Sequence, residues 1–268
     1  MPGWNETSPQ AQDYIKNGFI TPKLSGRPAL DGVRNQLVLA LKRQLPGGQG
    51  LTDEEYLNRF HEHCDASKVN EVRVRVYREL GASDSFRKQV YECIKAPLIE
   101  LIGPEIVMQR LVNLVIQMPN DPAGLIALHT DAWAGDSPYE VVLWLPLVDV
   151  YESKSMYLCS KEKNHAHLLA LKGGLKLDSA AALRDLVRPD SSPVQLKYGD
   201  ALLFSPILLH GAEENLTRET RFVLNVRFKS LFSPYGTKAL GETFLPISYL
   251  PATEVGLNYE AEFGIVGG

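Results

Sequence analysis

The stretch LHTDAWAGDSPYEVVLWLPL, residues 128–147, joins a His-x-Asp pair to a polar, Gly-containing loop and then to an apolar strand. His129 and Asp131 stand where one predicted strand ends and the loop begins. Their side chains are two residues apart, so they can point to the same side and share one metal ion. The pair alone is a weak signal, because a loop histidine beside a capping aspartate gives the same pattern.

The chain around this stretch changes its pattern near residue 106. Before it, the spacing of apolar residues predicts helices over 29–45, 67–80 and 83–94, and a capping box at Thr52 and Glu55 opens another. The run VRVRVY within 67–80 is also compatible with a strand. After residue 106, short β-rich runs separated by turn residues predict strands over 106–118, 141–150, 155–160, 193–196, 201–210 and 221–232, with an inserted helix over 178–187.

Helices followed by strands favour an α+β fold, a double-stranded β-helix (jelly-roll or cupin-like) core buttressed by N-terminal helices. We expect a single domain with a mainly helical part at 1–105, a jelly-roll core at 106–232 and a wrapping tail at 233–268. Such a core has a mouth in which a ligand can bind.

A third metal ligand is predicted at the end of the run KYGDALLFSPILLHGAEEN, residues 197–215. His210 closes the apolar run, and Gly211 lets other groups approach it. With His129 and Asp131 it can complete a facial triad of two histidines and one carboxylate, the set that holds non-haem Fe(II) and leaves open coordination positions. Taken alone, His210 is more typical of a satisfied core histidine.

An arginine follows His210 after a short hairpin. Arg221 is placed to return beside His210 on the adjacent strand, where its guanidinium can grip the distal carboxylate of a dicarboxylic co-substrate. Arg218 and Arg227 compete for this role. Arg227 is the stronger rival, because positions 221, 223, 225 and 227 share one strand face.

Composition limits the classes of partner. The 28 Lys and Arg against 32 Asp and Glu give a formal net charge of -4 without charge blocks, which disfavours nucleic acid as a partner. Three dispersed cysteines indicate a reducing compartment. We see no signal-peptide pattern and no apolar run near the length of a membrane span, so we expect a cytoplasmic protein without a membrane partner.

These residues together resemble the Fe(II)/2-oxoglutarate dioxygenase superfamily, and more closely its phytanoyl-CoA hydroxylase-like branch. The matching elements are His-x-Asp at 129–131, WLPLVDV at 144–150, the run from GDALLF to HG at 199–211, and the arginine at 221. The opening YIKNGFI, residues 14–20, also looks like that branch. The resemblance is strongest over residues 106–229.

The resemblance implies that His129, Asp131 and His210 bind iron and that Arg221 anchors the C5 carboxylate of 2-oxoglutarate. Gln109 and Asn113, on the strand before the His-x-Asp pair, look like the polar pair that reaches the co-substrate in this branch. A solvated polar strand face is the competing interpretation for both. The implied partners are dioxygen and a small-molecule substrate.

Candidate substrate contacts follow from the same placement. Trp133 could stack on a sugar face, Asp136 could accept hydroxyl hydrogen bonds, and Gln117 shares a strand face with Gln109 and Asn113. His167, with His165, lies in a predicted polar loop and is a further candidate.

The predicted reaction is hydroxylation with release of succinate and CO2. Asp131 fills the position that is vacant in the halogenases of the superfamily, so halogenation is disfavoured, whereas desaturation and ring formation remain open. The branch often carries a PGSHK-like turn where this chain has LCSKEKNHAH at 158–167, which puts acyl-CoA substrates in doubt. The MYLCSKEKN form and the loop after the triad resemble proteins of bacterial surface-carbohydrate clusters, so we expect a small polar metabolite or sugar derivative.

Two other classes remain open. A cupin-like metal-binding module or isomerase without oxygen chemistry would use the same three ligands but would not need Arg221. A non-catalytic interaction domain that retains only the fold would have no affinity for iron.

Overall fold

The computed structural model describes residues 8–24, 26–81 and 83–259, apart from the side chain of Ala123. Its α-helices in chain order are α1 Pro9–Asn17, α2 Arg27–Gln44, α3 Asp53–Asn58, α4 Ala66–Gly81, α5 Asp84–Ile102, α6 Lys161–Lys172, α7 Ala180–Val187 and α8 Pro251–Leu257. Its strands are β1 Phe19–Ile20, β2 Ile106–Gln109, β3 Asn113–Gln117, β4 Ile126–His129, β5 Val141–Pro146, β6 Tyr157–Cys159, β7 Ser191–Pro193, β8 Leu202–Phe204, β9 His210–Ala212, β10 Arg221–Ser230 and β11 Phe244–Ser248.

The helical N-terminal part follows the apolar spacing of the sequence. The capping box forms as expected: Thr52 Oγ1 accepts from the backbone N–H of Glu55, and the Glu55 carboxylate accepts from the Thr52 N–H at 2.8 Å. The run VRVRVY lies in α4 and is helical. Its buried valines recur every three or four residues, together with Val69 and Leu80, so one face of the helix packs into the core.

Two antiparallel sheets form the β-part. The larger has the order β1-β8-β5-β10-β2-β11, with β3 also paired to β10, and the smaller has the order β4-β9-β6-β7. Apolar side chains between the sheets form one layer of the core, from Val142, Trp144, Leu158, Phe204 and Val223 among others. The outer face of the larger sheet packs against α2, α4 and α5 in a second, larger core. The predicted jelly-roll architecture with helical buttresses is confirmed, although the described sheets do not close into a barrel.

The predicted strand at 106–118 is in fact two strands. β2 and β3 both pair with β10, but four residues, 109–112, lie opposite only two, Val226 and Arg227. The two extra residues bulge out, and the N–H of Arg110 turns away to the carbonyl of Thr243 at 2.7 Å. An unbroken apolar pattern does not reveal such a bulge, because the two extra residues preserve which face each side chain takes.

The predicted strand at 201–210 also divides. β8 belongs to the larger sheet and β9 to the smaller one, and a turn in which the N–H of Leu208 donates to the carbonyl of Ser205 joins them. This crossing carries His210 from one sheet to the other. The apolar run continues through it because both strands and the turn are buried.

The predicted strand at 155–160 is β6, but the predicted polar loop that holds His165 and His167 is instead the helix α6. Ser160 caps this helix by accepting from the N–H of Lys163. In the tail, β11 pairs with β2 at the edge of the larger sheet, and residues 260–268 lie outside the described part of the chain.

The predicted helix at 178–187 is confirmed as α7, with Ser179 as its cap. Cys64, Cys93 and Cys159 are buried free thiols. Within the described ranges, each helix is too short or too polar to cross a membrane.

Candidate active site

The end of β4 and the start of β9 bring two histidines together. His129 and His210 are directly paired across the two antiparallel strands, with ring centroids 4.4 Å apart. Asp131 follows in a 3-10 turn, Asp131–Ala134, that Thr130 caps through its hydroxyl and that ends at Gly135 with a left-handed φ of 87°. A local turn therefore delivers the carboxylate to the same place as the paired imidazoles.

The three side chains present a metal-ligand geometry. One ligand atom from each of His129, Asp131 and His210 lies within 4.8 Å of the others. The Asp131 Oδ1 atom is 3.5 Å from His129 Nε2 and 3.9 Å from His210 Nε2. Each Nδ1 lies 2.8 Å from the carbonyl oxygen two residues earlier, of Ala127 and Leu208, and can donate to it. This leaves both Nε2 atoms as acceptors for a metal, as carbonyl-oriented metal-binding histidines do.

The charge states of these groups suit a divalent cation. Burial raises the pKa of Asp131, but the neighbouring His129, Arg227 and His210 outweigh it and lower that pKa to about 2. Burial lowers the pKa of His210 to about 4. At neutral pH the carboxylate is therefore ionised and His210 is neutral, the forms that bind metals. The Asp131 Oδ2 atom is buried and has no hydrogen-bond partner among the described groups. The donor set thus fits Fe(II) held by two histidines and one carboxylate.

Arg221 places a buried positive charge in the site. It begins β10, is only 1% exposed, and its Nε and Nη1 atoms have no hydrogen-bond partner among the residues described. Burial lowers its pKa to about 10, so it is still charged at neutral pH. A buried charge without a partner is costly, and a bound anion would remove that cost.

One cavity joins Arg221 to the metal-ligand residues. It measures about 260 Å³ and lies between the two sheets. Its polar and charged lining includes Arg73, Asn113, His129, Asp131, His210, Arg221, Asn225 and Arg227, and its apolar lining includes Val115, Ile126, Trp144 and Met156.

Arg221 and Arg227 differ in whether their charge is paired with a carboxylate. Both line the cavity from the same face of β10. Arg227 Nη2 lies 2.7 Å from Asp131 Oδ1 and its Nε lies 3.2 Å from Asp136 Oδ1, so it is already paired with two carboxylates. Of the two arginines, Arg221 is therefore the one whose charge has no carboxylate partner among the described residues and is left for a carboxylate ligand.

The other predicted site residues divide into two groups. Asn113 lines the cavity from β3, opposite Asn225 on β10. Gln109 lies outside the cavity lining, and its Oε1 accepts from the backbone N–H of Arg227 at 3.3 Å and from Arg227 Nη1 at 3.4 Å. Gln117 is buried and donates to the backbone carbonyls of Gly124 and Glu213, which fixes it as a tie between segments.

The remaining predicted substrate contacts, Trp133, Asp136 and His167, do not line the cavity. Trp133 is 52% exposed on the turn that carries Asp131. Asp136 is buried and is paired with Arg227 and Lys238, so its Oδ1 is occupied. His167 lies on α6, and its Nε2 atom is 2.8 Å from Asp190 Oδ2. His165, also on α6, is exposed.

The sequence analysis missed Arg73. It reaches the cavity from α4, and its guanidinium donates only to neutral acceptors, the Asn70 side chain and the Leu114 carbonyl. The salt bridges found in the described ranges include neither Arg73 nor Arg221. The alternation of valine and arginine in VRVRVY does not show which arginine turns towards the sheet, because that depends on how α4 packs on β3.

Comparisons with known proteins agree with the fold and part of the site. The family model described as phytanoyl-CoA dioxygenase (PhyH) matches residues 187–223, a segment that contains His210 and Arg221. A search of curated proteins found no match.

Several solved structures have a similar fold. The non-haem α-ketoglutarate-dependent carbocyclase SnoK from nogalamycin biosynthesis is 17% identical, with a TM-score of 0.56 over 91% of this chain and 97% of that one. The apo form of the non-haem monooxygenase ThoJ is 17% identical, with a TM-score of 0.56 over 90% and 84%. The epimerase SnoN, in a complex with Fe3+, α-ketoglutarate and nogalamycin RO, is 18% identical, with a TM-score of 0.53 over 85% and 84%. The resemblance drawn from the sequence is therefore confirmed at the level of the fold: the chain has the fold of these non-haem enzymes, and it matches the phytanoyl-CoA dioxygenase model over residues 187–223.

Proposed function

We propose that this chain is a non-haem Fe(II)- and 2-oxoglutarate-dependent oxygenase that oxidises a C–H bond of a small polar metabolite or sugar derivative. The observation that carries the proposal is the buried, unpaired guanidinium of Arg221 in the same cavity as His129, Asp131 and His210. A metal-binding module without a co-substrate would have no use for that charge.

Each group has a distinct task in this proposal. His129, Asp131 and His210 hold Fe(II), which would supply the activation of dioxygen coupled to decarboxylation of 2-oxoglutarate to succinate and CO2. Arg221 binds the distal carboxylate in a two-pronged pair, with its charge retained in a dry site. Asn113 donates or accepts at the co-substrate from β3, while Val115, Trp144 and Met156 exclude water from it.

We propose hydroxylation as the default reaction. The solved structures of similar fold show that other oxidative reactions also occur on this fold. Their names include a monooxygenase, a carbocyclase and an epimerase, so one fold serves several fates of an oxidised carbon. Asp131 occupies the carboxylate ligand position, which argues against halogenation.

Two exposed aromatic side chains in the segment after Asp131 support a polar, ring-shaped substrate. Trp133 and Tyr139 are more than half exposed, and both belong to the segment after the triad. Exposed aromatic faces stack on sugar rings while leaving hydroxyl groups free to bind water or protein.

An anaerobic titration of the metal-free protein with Fe(II) and then 2-oxoglutarate tests the proposal. We expect a weak visible charge-transfer band from the bound chelate, and we expect the Arg221→Met variant to need at least about 100-fold more 2-oxoglutarate, since removing one partner of a buried charge pair costs about 3–5 kcal/mol. Arg218→Met is the matched control because Arg218 is exposed on the hairpin that precedes β10. Absence of the band in the parent protein would refute the proposal.

A further inference from the structure

Arg227 has three acceptors in three directions. Its Nη2 contacts Asp131 Oδ1 at 2.7 Å, its Nε lies 3.2 Å from Asp136 Oδ1, and its Nη1 donates to Gln109 Oε1 at 3.4 Å. The side chain is only 12% exposed. A planar guanidinium bound on three sides cannot rotate without losing a contact.

Arg227 contacts the Asp131 oxygen that faces the two histidines. Oδ1 is also the oxygen nearest to Nε2 of His129 and of His210. The contact with Arg227 therefore sets the rotation of the carboxylate relative to the two imidazoles.

The groups that hold Arg227 are themselves fixed. Gln109 closes β2 at the bulge opposite Arg227, and its Oε1 accepts from the Arg227 backbone as well as from the side chain. Asp136 is 4% exposed and pairs with Lys238 from the tail. Two anchors on different segments thus hold the guanidinium in place.

Neutralisation alone does not account for this arrangement. Two acids, Asp131 and Asp136, face two bases, Arg227 and Lys238. The charge of Arg227 is therefore shared between Asp131 and Asp136. An arginine needed just to offset Asp131 would not require Asp136 beside it. The forked shape of the guanidinium, which a lysine lacks, explains the three contacts.

We propose that Arg227 is a positioning residue that orients Asp131 towards the metal, and that Gln109 and Asp136 act by holding Arg227. This inference rests on the proposed metal site and adds to it the residue that aims the carboxylate ligand. It assigns Gln109 a role through Arg227 in place of direct contact with the co-substrate.

Co(II) binding, followed by calorimetry and by the visible d–d spectrum, tests the inference without turnover. Arg227→Lys keeps the charge but loses the fork, and we expect it to bind Co(II) about 10- to 100-fold more weakly, the usual cost of losing a partner that orients a metal ligand. Gln109→Leu changes no charge and should weaken binding in the same direction. The double variant should match Arg227→Lys alone within about two-fold, because both changes act on one contact.

Arg218→Met is the control for loss of a surface arginine, and thermal unfolding confirms that each variant is folded. A parent-like Co(II) affinity and spectrum in Arg227→Lys would overturn the inference. So would tighter binding in Arg227→Met than in the parent, because relief of charge repulsion would then be the dominant effect. A parent protein that binds no Co(II) would instead overturn the proposed function, and this inference with it.

Discussion

Arg221 brings a positive charge into the interior with two of its nitrogens unpaired within the described structure. A group of this kind reduces the stability of the ligand-free protein and increases the affinity for an anion that fits. The same reasoning separates it from Arg227, six residues along the same strand, whose charge is paired with the carboxylates of Asp131 and Asp136. Two arginines on one strand face thus have different surroundings, and we propose different roles for them for that reason.

Replacing Arg221 by methionine should stabilise the ligand-free protein. Removing a buried charge without partners relieves about 1–3 kcal/mol, so we expect the free energy of unfolding to rise by that order. The variant should also lose the stabilisation that 2-oxoglutarate gives to the Co(II)-loaded parent, about 2.7 kcal/mol at a concentration 100 times the Kd. Chemical denaturation with and without 2-oxoglutarate measures both effects. A variant less stable than the parent in the absence of ligand would contradict this interpretation of Arg221.

The elements that carry the ligands are short. β4 and β9 have four and three residues, and their pairing alone places the two imidazoles together. The larger sheet contributes Arg221, Asn113 and Arg227 from the opposite wall. The site therefore depends on the two sheets facing each other and on tight pairing within the smaller sheet, where Gly211 of β9 lies close to β4 and β6.

Gly211→Ala should damage the site through β9. A Cβ atom at this position would lie 2.8 Å from the carbonyl oxygen of Ile126 and 2.8 Å from the Tyr157 hydroxyl, so the strands must move apart. We expect a loss of about 1–3 kcal/mol in the free energy of unfolding, the usual cost of overpacking, together with weaker Co(II) binding because His210 is the adjacent residue.

Gly256→Ala is the matched control, since nothing lies within 4 Å of its added Cβ in α8. It should raise stability by about 0.5–1 kcal/mol and leave Co(II) binding unchanged. Equal effects of the two substitutions would show that Gly211 is not needed for close approach of the strands.

The sequence predicted which candidate site residues lie at strand ends better than it predicted the bounds of the strands. His129, Asp131, His210 and Arg221 lie beside turn residues, and a turn is a local feature that spacing reveals. The division of 106–118 and of 201–210 depends on pairing with β10 and on which sheet each half joins, which no local pattern records. Arg73 and the triple contact of Arg227 were missed for the same reason, because they arise from packing between distant segments.

The described part of the molecule has two main apolar cores, and charged side chains are buried on one side of β10. The helices and the outer face of the larger sheet form the main core, and the cavity lies beyond it between the sheets. Buried ionisable groups concentrate near the start of β5, the end of β10 and the tail, where Asp136, Glu140 and Lys229 are each less than 5% exposed. The pH dependence of the whole fold should therefore reflect this region.

The raised pKa of Glu140 predicts a loss of stability as the pH rises from about 4.5 to 7. Burial, with Asp136 nearby, raises its pKa from 4.5 to about 7. The folded state therefore binds a proton more tightly than the unfolded chain, and this contribution is complete below pH 4.5 and lost as the pH rises through 7. In Glu140→Gln that loss disappears, so at pH 8 we expect the variant to be more stable than the parent by roughly 1–3 kcal/mol.

Urea denaturation of both proteins from pH 4 to 8 measures this difference. The gap between the two curves should grow across the window from pH 4.5 to 7 and level off above it. Parallel curves would show that Glu140 titrates normally in the folded protein.

Conversion of labelled 2-oxoglutarate to succinate tests the oxygenase function most directly. The parent protein is loaded anaerobically with Fe(II) and carbon-13-labelled 2-oxoglutarate, dioxygen is admitted together with polar sugar-type metabolites, and the products are followed by NMR. We predict labelled succinate in the parent and none in Arg221→Met. Unchanged 2-oxoglutarate in a parent protein that has bound both iron and the co-substrate would contradict the oxygenase function and favour a metal-binding module.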